Sequence, residues 1–245
     1  MADNINRRQA VKAIGMAAAA VAVGGATAFE SCATEKTIKK MNVLLINGSP
    51  RKNGNTNRLL EEVASQLSKN GISSEIVHIG NGHVHGCAAC GQCYRNGGKC
   101  VFDDDICNTL IDRMAQSDAL VVGSPVYYGA PAGQVLSIIQ RMAYAGGAHM
   151  QGKPAAAVTV CRRGGATSAF QALQMPFQML NMPIVTSQYW NIAYGGGAGE
   201  VEQDAEGLQT MRTLADNMAY MLKQFATGSA KKAEKEPGVW TNFIR

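Results

Sequence analysis

The sequence lacks the two glycine-rich signatures most often used to bind nucleotides. The loop after the first apolar run, residues 47–56, contains no Gly-x-Gly-x-x-Gly, and no Lys-Ser or Lys-Thr pair follows a four-residue spacer there. Their absence excludes a dinucleotide fingerprint and a Walker loop at this position. If this loop holds a phosphate group, it must do so with other residues.

A basic stripe and internal repeats are also missing. The chain has 23 Lys and Arg against 18 Asp and Glu, a net charge of +5, which becomes +4 without residues 1–31. Low complexity is confined to the N-terminal apolar run and a charged tail at residues 231–236. The small positive charge gives no case for binding nucleic acid. The 214 residues after position 31 suit one α/β domain with a sizeable core.

Residues 1–31 are predicted to be an export signal. Arg7 and Arg8 form a twin-arginine signature, and an Ala- and Gly-rich apolar run follows at residues 13–29. The run is too short and too weakly apolar for a membrane span, and residues 26–28 form an Ala-x-Ala cleavage pattern. Twin-arginine export carries folded proteins, commonly because a cofactor is inserted first. The signal therefore predicts a periplasmic protein with a tightly bound prosthetic group.

A second processing site overlaps the end of this segment. Residues 29–32, Phe-Glu-Ser-Cys, loosely match a lipoprotein cleavage box, which would leave a membrane anchor on Cys32. Phe29 and Glu30 fit the box poorly, so cleavage at the Ala-x-Ala pattern, lipidation and an uncleaved N-terminus all stay open. Residues 32–40 are predicted to be a linker.

Apolar β-rich runs alternate with helical patterns along residues 41–225. The predicted strands are residues 42–47, 74–79, 119–123, 155–161 and 183–187. The predicted helices are residues 56–70, a helix starting at 103, and residues 131–142, 167–180 and 206–223. Five strands with intervening helices predict a parallel sheet covered on both faces. Residues 226–245 are predicted to be a C-terminal tail.

Residues 47–56 follow a buried strand and precede an amphipathic helix, an arrangement that binds phosphate at a helix N-terminus. Ser49, Asn55 and Thr56 offer hydroxyl and amide donors. Arg51 can form a bidentate pair with phosphate oxygens. The same loop composition also suits an ordinary polar turn, so both interpretations are kept at this point.

Two further loops are expected at the same edge, because the carboxyl ends of parallel strands lie together there. Residues 123–131 carry two prolines and adjacent tyrosines, which offer rigid backbone and aromatic faces to a planar ring. Residues 161–165 carry two adjacent arginines, which suit a bound anionic group or a solvated surface equally well. Surface packing is the alternative for the tyrosines, and a phosphate site one strand away favours a bound ring.

The three loops together resemble the NAD(P)H-dependent FMN reductases of the flavodoxin-like superfamily, which includes the multimeric flavodoxins and the iron–sulfur flavoproteins. The matching motifs are Asn-Gly-Ser-Pro-Arg-x-x-Gly-Asn-Thr, Gly-Ser-Pro-Val-Tyr-Tyr-Gly and Cys-Arg-Arg-Gly-Gly. The likeness spans roughly residues 41–245. It implies a flavodoxin-like α/β fold, a doubly wound five-stranded parallel sheet in the order 2-1-3-4-5, with FMN bound non-covalently.

The resemblance also implies the residues around the flavin and the reaction. The phosphate contacts would be Ser49, Arg51, Asn55 and Thr56; the ring contacts Pro125, Val126, Tyr127 and Gly129; and the far-side loop Arg163, Gly164 and Gly165. NAD(P)H would be the co-substrate, and electrons would pass to a small-molecule acceptor such as a quinone or a flavin. No side-chain acid or base is needed, so no catalytic residue is predicted. An electron carrier without NAD(P)H turnover is the alternative.

The resemblance further implies a homodimer or tetramer, and a redox protein is an additional candidate partner. One position departs from the family pattern. Members often have Asp-Arg in the helix after the third strand, whereas this chain has Gln140-Arg141. The ion pair made there in other members is therefore left open for this chain.

Four of the seven cysteines are clustered. Cys87, Cys90, Cys93 and Cys100 lie between the second strand and its helix, with spacers of two, two and six residues. Three closely spaced thiolates and a fourth nearby suit a [4Fe–4S] cluster, and iron–sulfur flavoproteins resemble this chain in having such a motif at the same place. Cysteines without a metal, a four-thiolate zinc site and disulfides formed outside the cytoplasm are the alternatives.

Overall fold

A parallel sheet runs through the described part of the chain, which in this computed structural model comprises residues 40–228, 236, 237, 239 and 241. The predicted export signal at residues 1–31 and the lipidation candidate Cys32 lie outside the described residues. So do the rest of the linker up to residue 39 and most of the predicted tail. No helix among the described residues is long and apolar enough to cross a membrane.

The sheet has six strands, and its parallel order agrees with the prediction. The strands are β1 (Asn42–Asn47), β2 (Ser73–His78), β3 (Ala119–Tyr127), β4 (Ala130–Pro131), β5 (Ala155–Cys161) and β6 (Ile192–Tyr194). The order is β2-β1-β3-β5-β6, and the short β4 pairs antiparallel with the end of β3. Without that hairpin strand the order is the predicted 2-1-3-4-5, so the flavodoxin-like α/β class is confirmed.

Five helices accompany these strands. They are α1 (Asn55–Lys69), α2 (Cys107–Gln116), α3 (Gly133–Met150), α4 (Ala166–Met179) and α5 (Ala205–Thr227), with 3₁₀ turns at Gln92–Tyr94 and Glu200–Gln203. Alternate residues of β1 divide the core. Val43 and Leu45 pack against α1 and α5, whereas Leu44 and Ile46 pack against α2, α3 and α4. The sheet is thus covered on both faces, as a parallel sheet requires.

Helices α1 and α4 lie within one residue of the predicted bounds, and α5 continues four residues past its predicted end. The bounds of α2 and α3 differ for reasons that the structure shows. α2 begins at Cys107 rather than at residue 103. Asp105 precedes the helix instead of lying in its first turn, and its Oδ1 accepts the N–H of Cys107, the first helical residue, at 3.0 Å. α3 continues to Met150, well past the predicted end at residue 142. Gly146 contributes to the longer helix through packing, since a Cβ there would lie only 2.9 Å from Ile111 Cγ2 on α2.

The fifth position of the sheet also differs. The prediction of a continuous strand at residues 183–187 is wrong, because only two backbone hydrogen bonds join this segment to β5. Ala155 N–H donates to Pro183 O at 2.9 Å, and Val185 N–H donates to Ala155 O at 2.8 Å. The strand that completes the parallel sheet is β6, which pairs with the last three residues of β5. The polar residues after Val185 do not continue the apolar run on which the prediction rested.

Residues 186–191 leave the sheet between these two pairings. The chain returns where Asn191 O accepts the Thr159 N–H at 3.0 Å. The excursion carries Tyr189 and Trp190, whose side chains are more than half exposed and whose ring centroids lie 5.1 Å apart. An aromatic bulge therefore interrupts this edge of the sheet.

Candidate functional site

The loop between β1 and α1 is shaped by the buried side chain of Asn47. Its Oδ1 accepts the Ser49 N–H at 3.0 Å, and its Nδ2 donates to Lys52 O at 3.2 Å and to Asn57 Oδ1 at 3.1 Å. Ser49 Oγ accepts the Arg51 N–H at 3.1 Å. The buried Asn47 side chain therefore holds the loop from the sheet side.

Neighbouring strands fix this loop against the sheet. Gly48 N–H donates to Gly123 O at 2.8 Å, and His78 Nε2 lies 2.7 Å from Ser49 O, to which it donates. A Cβ on Gly48 would lie 2.6 Å from Val135 Cβ on α3. Glycine is required at this position because helix α3 leaves no room for a side chain.

The N-terminus of α1 opens into a cleft of about 330 Å³. The first-turn N–H groups of a helix have no intrahelical acceptor, and Gly54, which precedes α1, supplies no side-chain acceptor for them. Ser49 and Thr56 line the cleft and are buried, whereas Arg51 lines it and is exposed. Free N–H groups at a helix N-terminus, two hydroxyls and a guanidinium form an anion-binding end.

Three other segments form the rest of the cleft. They are Pro125–Tyr127 from β3, Val160–Arg162 from the end of β5, and Gly195–Ala198 after β6. The cleft thus brings together seven of the predicted flavin contacts: Ser49, Arg51, Asn55, Thr56, Pro125, Val126 and Tyr127. Its apolar part lies beside the β3 and β5 ends, and its anion-binding end lies beside α1.

The other predicted contacts, Gly129, Arg163, Gly164 and Gly165, do not line this cleft. Gly165 packs against Gly129 instead, and Ser168 Oγ donates to the carbonyl oxygens of both. These contacts hold the tip of the β3–β4 hairpin against the start of α4. Of the two adjacent arginines, Arg162 is the one that lines the cleft.

The glycine segment after β6 is a wall of the cleft that sequence reasoning missed. Asn55 Nδ2 donates to Gly197 O at 2.8 Å, and Gly196 N–H donates to Glu200 Oε2 at 2.8 Å. Backbone hydrogen bonds from Gly197 and Gly196 lower the pKa of the exposed Glu200. A Cβ on Gly195 would lie 2.8 Å from a backbone nitrogen. Three consecutive glycines after a strand were the available signal.

Asn55 also leaves one acceptor open in this cleft. Its Oδ1 is the only buried side-chain nitrogen or oxygen without a hydrogen-bond partner among the residues that the structure describes. A hydroxyl donor on a bound molecule would satisfy this oxygen, because unpaired buried acceptors are costly. An anion-binding end, an open acceptor and apolar walls match a phosphate, a polyol chain and a planar ring in that order.

The four clustered cysteines line a second cavity, of about 250 Å³. All four are free thiols; Cys87 and Cys90 are exposed, and Cys93 and Cys100 are half-buried. Within the described ranges, no three His, Cys, Asp or Glu side chains are placed to share a single metal ion. Four thiols around one shared volume suit a larger group in which each thiolate binds a different metal atom.

Cys107 lies next to this loop but is not part of the cavity lining. It is fully buried in the core, and burial raises the pKa of its thiol to about 12. A thiol that stays protonated is a poor metal ligand, because the thiolate is the binding form. The cavity therefore contains the four cysteines that the spacing predicted, without Cys107.

A buried ion pair lies behind the cavity. Arg141 lines the cavity, and its Nη1 donates to Asp105 Oδ2; both side chains are 1% exposed. Burial alone would raise the pKa of Asp105, but the hydrogen bonds from Arg141, Cys107 and His85 and the charge of Arg141 together hold that pKa below its usual value. The ion-pair partner of Arg141 is thus Asp105, which is distant in the sequence. Arg141 therefore forms an ion pair in this chain although the preceding residue is Gln140 rather than Asp.

The comparisons with known proteins agree with this geometry. The family model for NADPH-dependent FMN reductases matches residues 41–197, from β1 through the glycine segment. The chain belongs to the NADPH-dependent FMN reductase family. The chain is also 30% identical to an iron–sulfur flavoprotein of Methanocaldococcus jannaschii over 191 residues, which cover 75% of this chain and 98% of that protein.

A second relative and a solved structure extend the comparison. An iron–sulfur flavoprotein of Archaeoglobus fulgidus is 33% identical over 189 residues, which cover 71% of this chain and 92% of that protein. The flavodoxin, WrbA-like protein of Agrobacterium tumefaciens has a TM-score of 0.52 at 17% identity, covering 75% of this chain and 98% of that chain. The structural match shows a shared fold. The family match makes the protein a flavin oxidoreductase or flavin-based electron carrier.

Proposed function

We propose that this protein is an FMN-dependent oxidoreductase whose flavin binds in the cleft at the N-terminus of α1. The observation that carries the proposal is the convergence in one cleft of uncapped helix N–H groups, buried Ser49 and Thr56 hydroxyl groups, and the apolar ends of β3 and β5. This combination suits a phosphorylated planar ring better than it suits a simple anion.

The chain's own residues would bind and orient the cofactor. The α1 N-terminus and Arg51 would hold the phosphate, and the open Asn55 Oδ1 would accept a ribityl hydroxyl. Pro125–Tyr127 would lie along the ring. Burial raises the pKa of Cys161 at the cleft, so its thiol stays neutral there. Bound FMN supplies hydride and single-electron chemistry, and the protein needs no side-chain acid or base.

We propose NAD(P)H as the electron donor, replaced by another donor where the protein is exported, and a small molecule, such as a quinone or a flavin, as the acceptor. The description of the family as NADPH-dependent supports this donor. Arg162 at the cleft is a cation available to a second phosphate. An electron carrier without nicotinamide turnover is the second candidate, and it is favoured by the relatives that are named iron–sulfur flavoproteins.

We also propose that Cys87, Cys90, Cys93 and Cys100 hold a [4Fe–4S] cluster. Four free thiols around one cavity and the names of the relatives support this assignment. When bound, a cluster supplies single-electron transfer. The chain would contribute four thiolates and the largely apolar walls around them, which limit the access of water.

Export by the twin-arginine route to the periplasm remains part of the proposal. It is supported by Arg7, Arg8 and the apolar run that follows, and Cys32 is the site of lipidation if the second cleavage box is used. Because reduced nicotinamides are cytoplasmic, a quinol or a redox protein would be the donor after export. A homodimer or tetramer is proposed from the family resemblance.

The test is an anaerobic absorption spectrum of the purified full chain during titration with NADPH and NADH. A flavin spectrum that bleaches with either nucleotide supports the oxidoreductase, whereas a flavin reduced by dithionite alone supports the carrier. Iron and acid-labile sulfide, assayed on the same sample, test the cluster. Colourless protein that fails to bind added FMN contradicts the proposal.

The binding site itself is tested by a paired substitution. Arg51→Glu with Thr56→Ala should release FMN, because it removes a cation and a hydroxyl from the anion-binding end. Lys52→Glu is the matched control, since Lys52 is exposed in the same loop but does not line the cleft. Equal FMN affinity in the double variant and the control would place the flavin elsewhere.

A further inference from the structure

The Arg141 side chain joins the two ends of the cysteine segment. Its Nη1 donates to the carbonyl oxygen of His85, two residues before Cys87, at 3.2 Å. Its Nη2 donates to the carbonyl oxygen of Phe102, two residues after Cys100, at 3.1 Å. One side chain from α3 therefore holds the first and last cysteine of the segment in place.

The same guanidinium contacts a sulfur atom directly. Arg141 Nε donates to Cys100 Sγ at 3.2 Å, and the guanidinium carbon lies 5.6 Å from the centroid of the Phe102 ring. N–H donors to cysteine sulfur are among the features that set the reduction potential of iron–sulfur centres. Arg141 thus combines a hydrogen bond to sulfur with a fixed positive charge.

The orientation of the ion pair gives this charge a direction. Arg141 lines the cavity, whereas Asp105 does not. Asp105 is held on the far side by N–H groups of His85 and Cys107, each at 3.0 Å from a carboxylate oxygen. The cation therefore lies between the cavity and the anion, so the cavity experiences a net positive field from the pair.

We propose that Arg141 is a positioning residue for the [4Fe–4S] cluster and raises its reduction potential. The inference rests on the proposed function, since it requires the cluster. Reduction by one electron adds negative charge at the cavity, and the facing guanidinium and its N–H···S bond stabilise that charge. A purely structural role for Arg141 would affect the stability of the loop without affecting the potential.

Two variants should shift the potential in opposite directions. Arg141→Gln with Asp105→Asn replaces the ion pair by neutral amides and avoids an unpaired buried charge. It should lower the equilibrium constant for reduction by about tenfold, which is about 59 mV for a one-electron couple. Asp105→Asn alone keeps the cation and removes the opposing anion, so it should raise the potential. Both are measured by anaerobic titration with mediator dyes.

Arg113→Gln is the matched control, because Arg113 is also paired with a carboxylate, Glu75, but on the surface away from the cavity. Its cluster potential should equal that of the wild type, and the FMN potential should be the same in all forms. Wild-type protein without iron and sulfide would overturn the cluster proposal. If the wild-type protein holds a cluster, an unchanged cluster potential in the double variant or in Asp105→Asn would overturn only the role of Arg141.

Discussion

Gly165 lies against the backbone of Gly129, so closely that a Cβ on Gly165 would be 2.7 Å from the Gly129 Cα atom. Gly165 also has a φ of +84°, in the left-handed region that glycine tolerates best. This contact fixes the β3–β4 hairpin, which contributes Pro125–Tyr127 to the cleft lining, to the N-terminus of α4.

Gly165→Ala should destabilise the protein by about 1–3 kcal/mol, because the methyl group would strain the backbone and meet Gly129. Urea unfolding of the FMN-free protein measures this change. Gly164→Ala is the neighbouring control, since no atom lies within 4 Å of a Cβ there. Its effect should stay within about 0.5 kcal/mol. Equal losses in the two variants would mean that the contact with Gly129 is unimportant.

Tyr128→Asn should stabilise the apo protein by about 0.5–1 kcal/mol, because asparagine tolerates positive φ better than tyrosine. Tyr128 has a φ of +50° and a fully exposed ring, and with Gly129 it forms the two-residue turn of the hairpin. Thermal unfolding measures the gain. The same change at Tyr220, exposed on helix α5, should give none. A loss of stability at Tyr128 would show that its ring makes contacts that offset the strain.

Asn47→Ala should weaken FMN binding at least tenfold and lower stability by about 1–3 kcal/mol, because it leaves buried loop groups without partners. Fluorescence titration with FMN and urea unfolding give the two values. Asn217→Ala, which removes a single exposed hydrogen bond to Thr186, is the control and should alter neither. Unchanged FMN affinity in the Asn47 variant would separate the loop geometry from cofactor binding.

Glu62 bridges α1 and α5 by pairing with Arg58 and Arg212. Partial burial would raise the pKa of Glu62, but hydrogen bonds from Arg212 and Arg58 hold it below the ordinary value. A carboxyl group with a lowered folded-state pKa stabilises the protein above its unfolded pKa, about 4.3, and this contribution is lost as the pH falls through the folded value.

Glu62→Gln should therefore reduce the urea midpoint at pH 7, and the difference from wild type should shrink as the pH is lowered below about 4. Unfolding curves of both proteins across this range test the expectation. Arg212→Gln removes one of the two partners of Glu62, so its urea midpoint should differ from that of the wild type in the same pH-dependent way but by a smaller amount. A gap between Glu62→Gln and wild type that does not change with pH would assign the effect to packing rather than to charge.

The regular core was predictable because its signal is local. β1 and β5 have the predicted bounds, since each consists mostly of apolar residues, with Asn only at the two ends of β1 and Thr159 the one polar residue within β5. The bounds of the fifth strand could not be predicted, because the pairing with β5 is divided between residues 183–185 and β6, with an excursion between them. Only the partner strand shows where such an excursion ends, and no property of a single segment reveals it.

The candidate site was predictable to the level of its loops. Parallel-sheet topology places the ends of β1, β3 and β5 at one edge, and motif residues on those ends line the cleft. The choice between Arg162 and Arg163 depends on side-chain direction, which adjacent positions do not reveal. The pairing of Arg141 with Asp105 joins residues 36 positions apart, so it arises only when α3 packs beside the cysteine segment.

The bulge at residues 186–191 has a consequence for self-association. β6 is the edge strand of the sheet and is only three residues long, and the segment before it contributes a single β-bridge. Long, uninterrupted edge strands recruit strands from other molecules and promote aggregation. Because the bulge divides this edge into two short pieces, too few consecutive backbone amides are unpaired for a strand of another molecule to dock there, and the edge is protected from fibril-like growth.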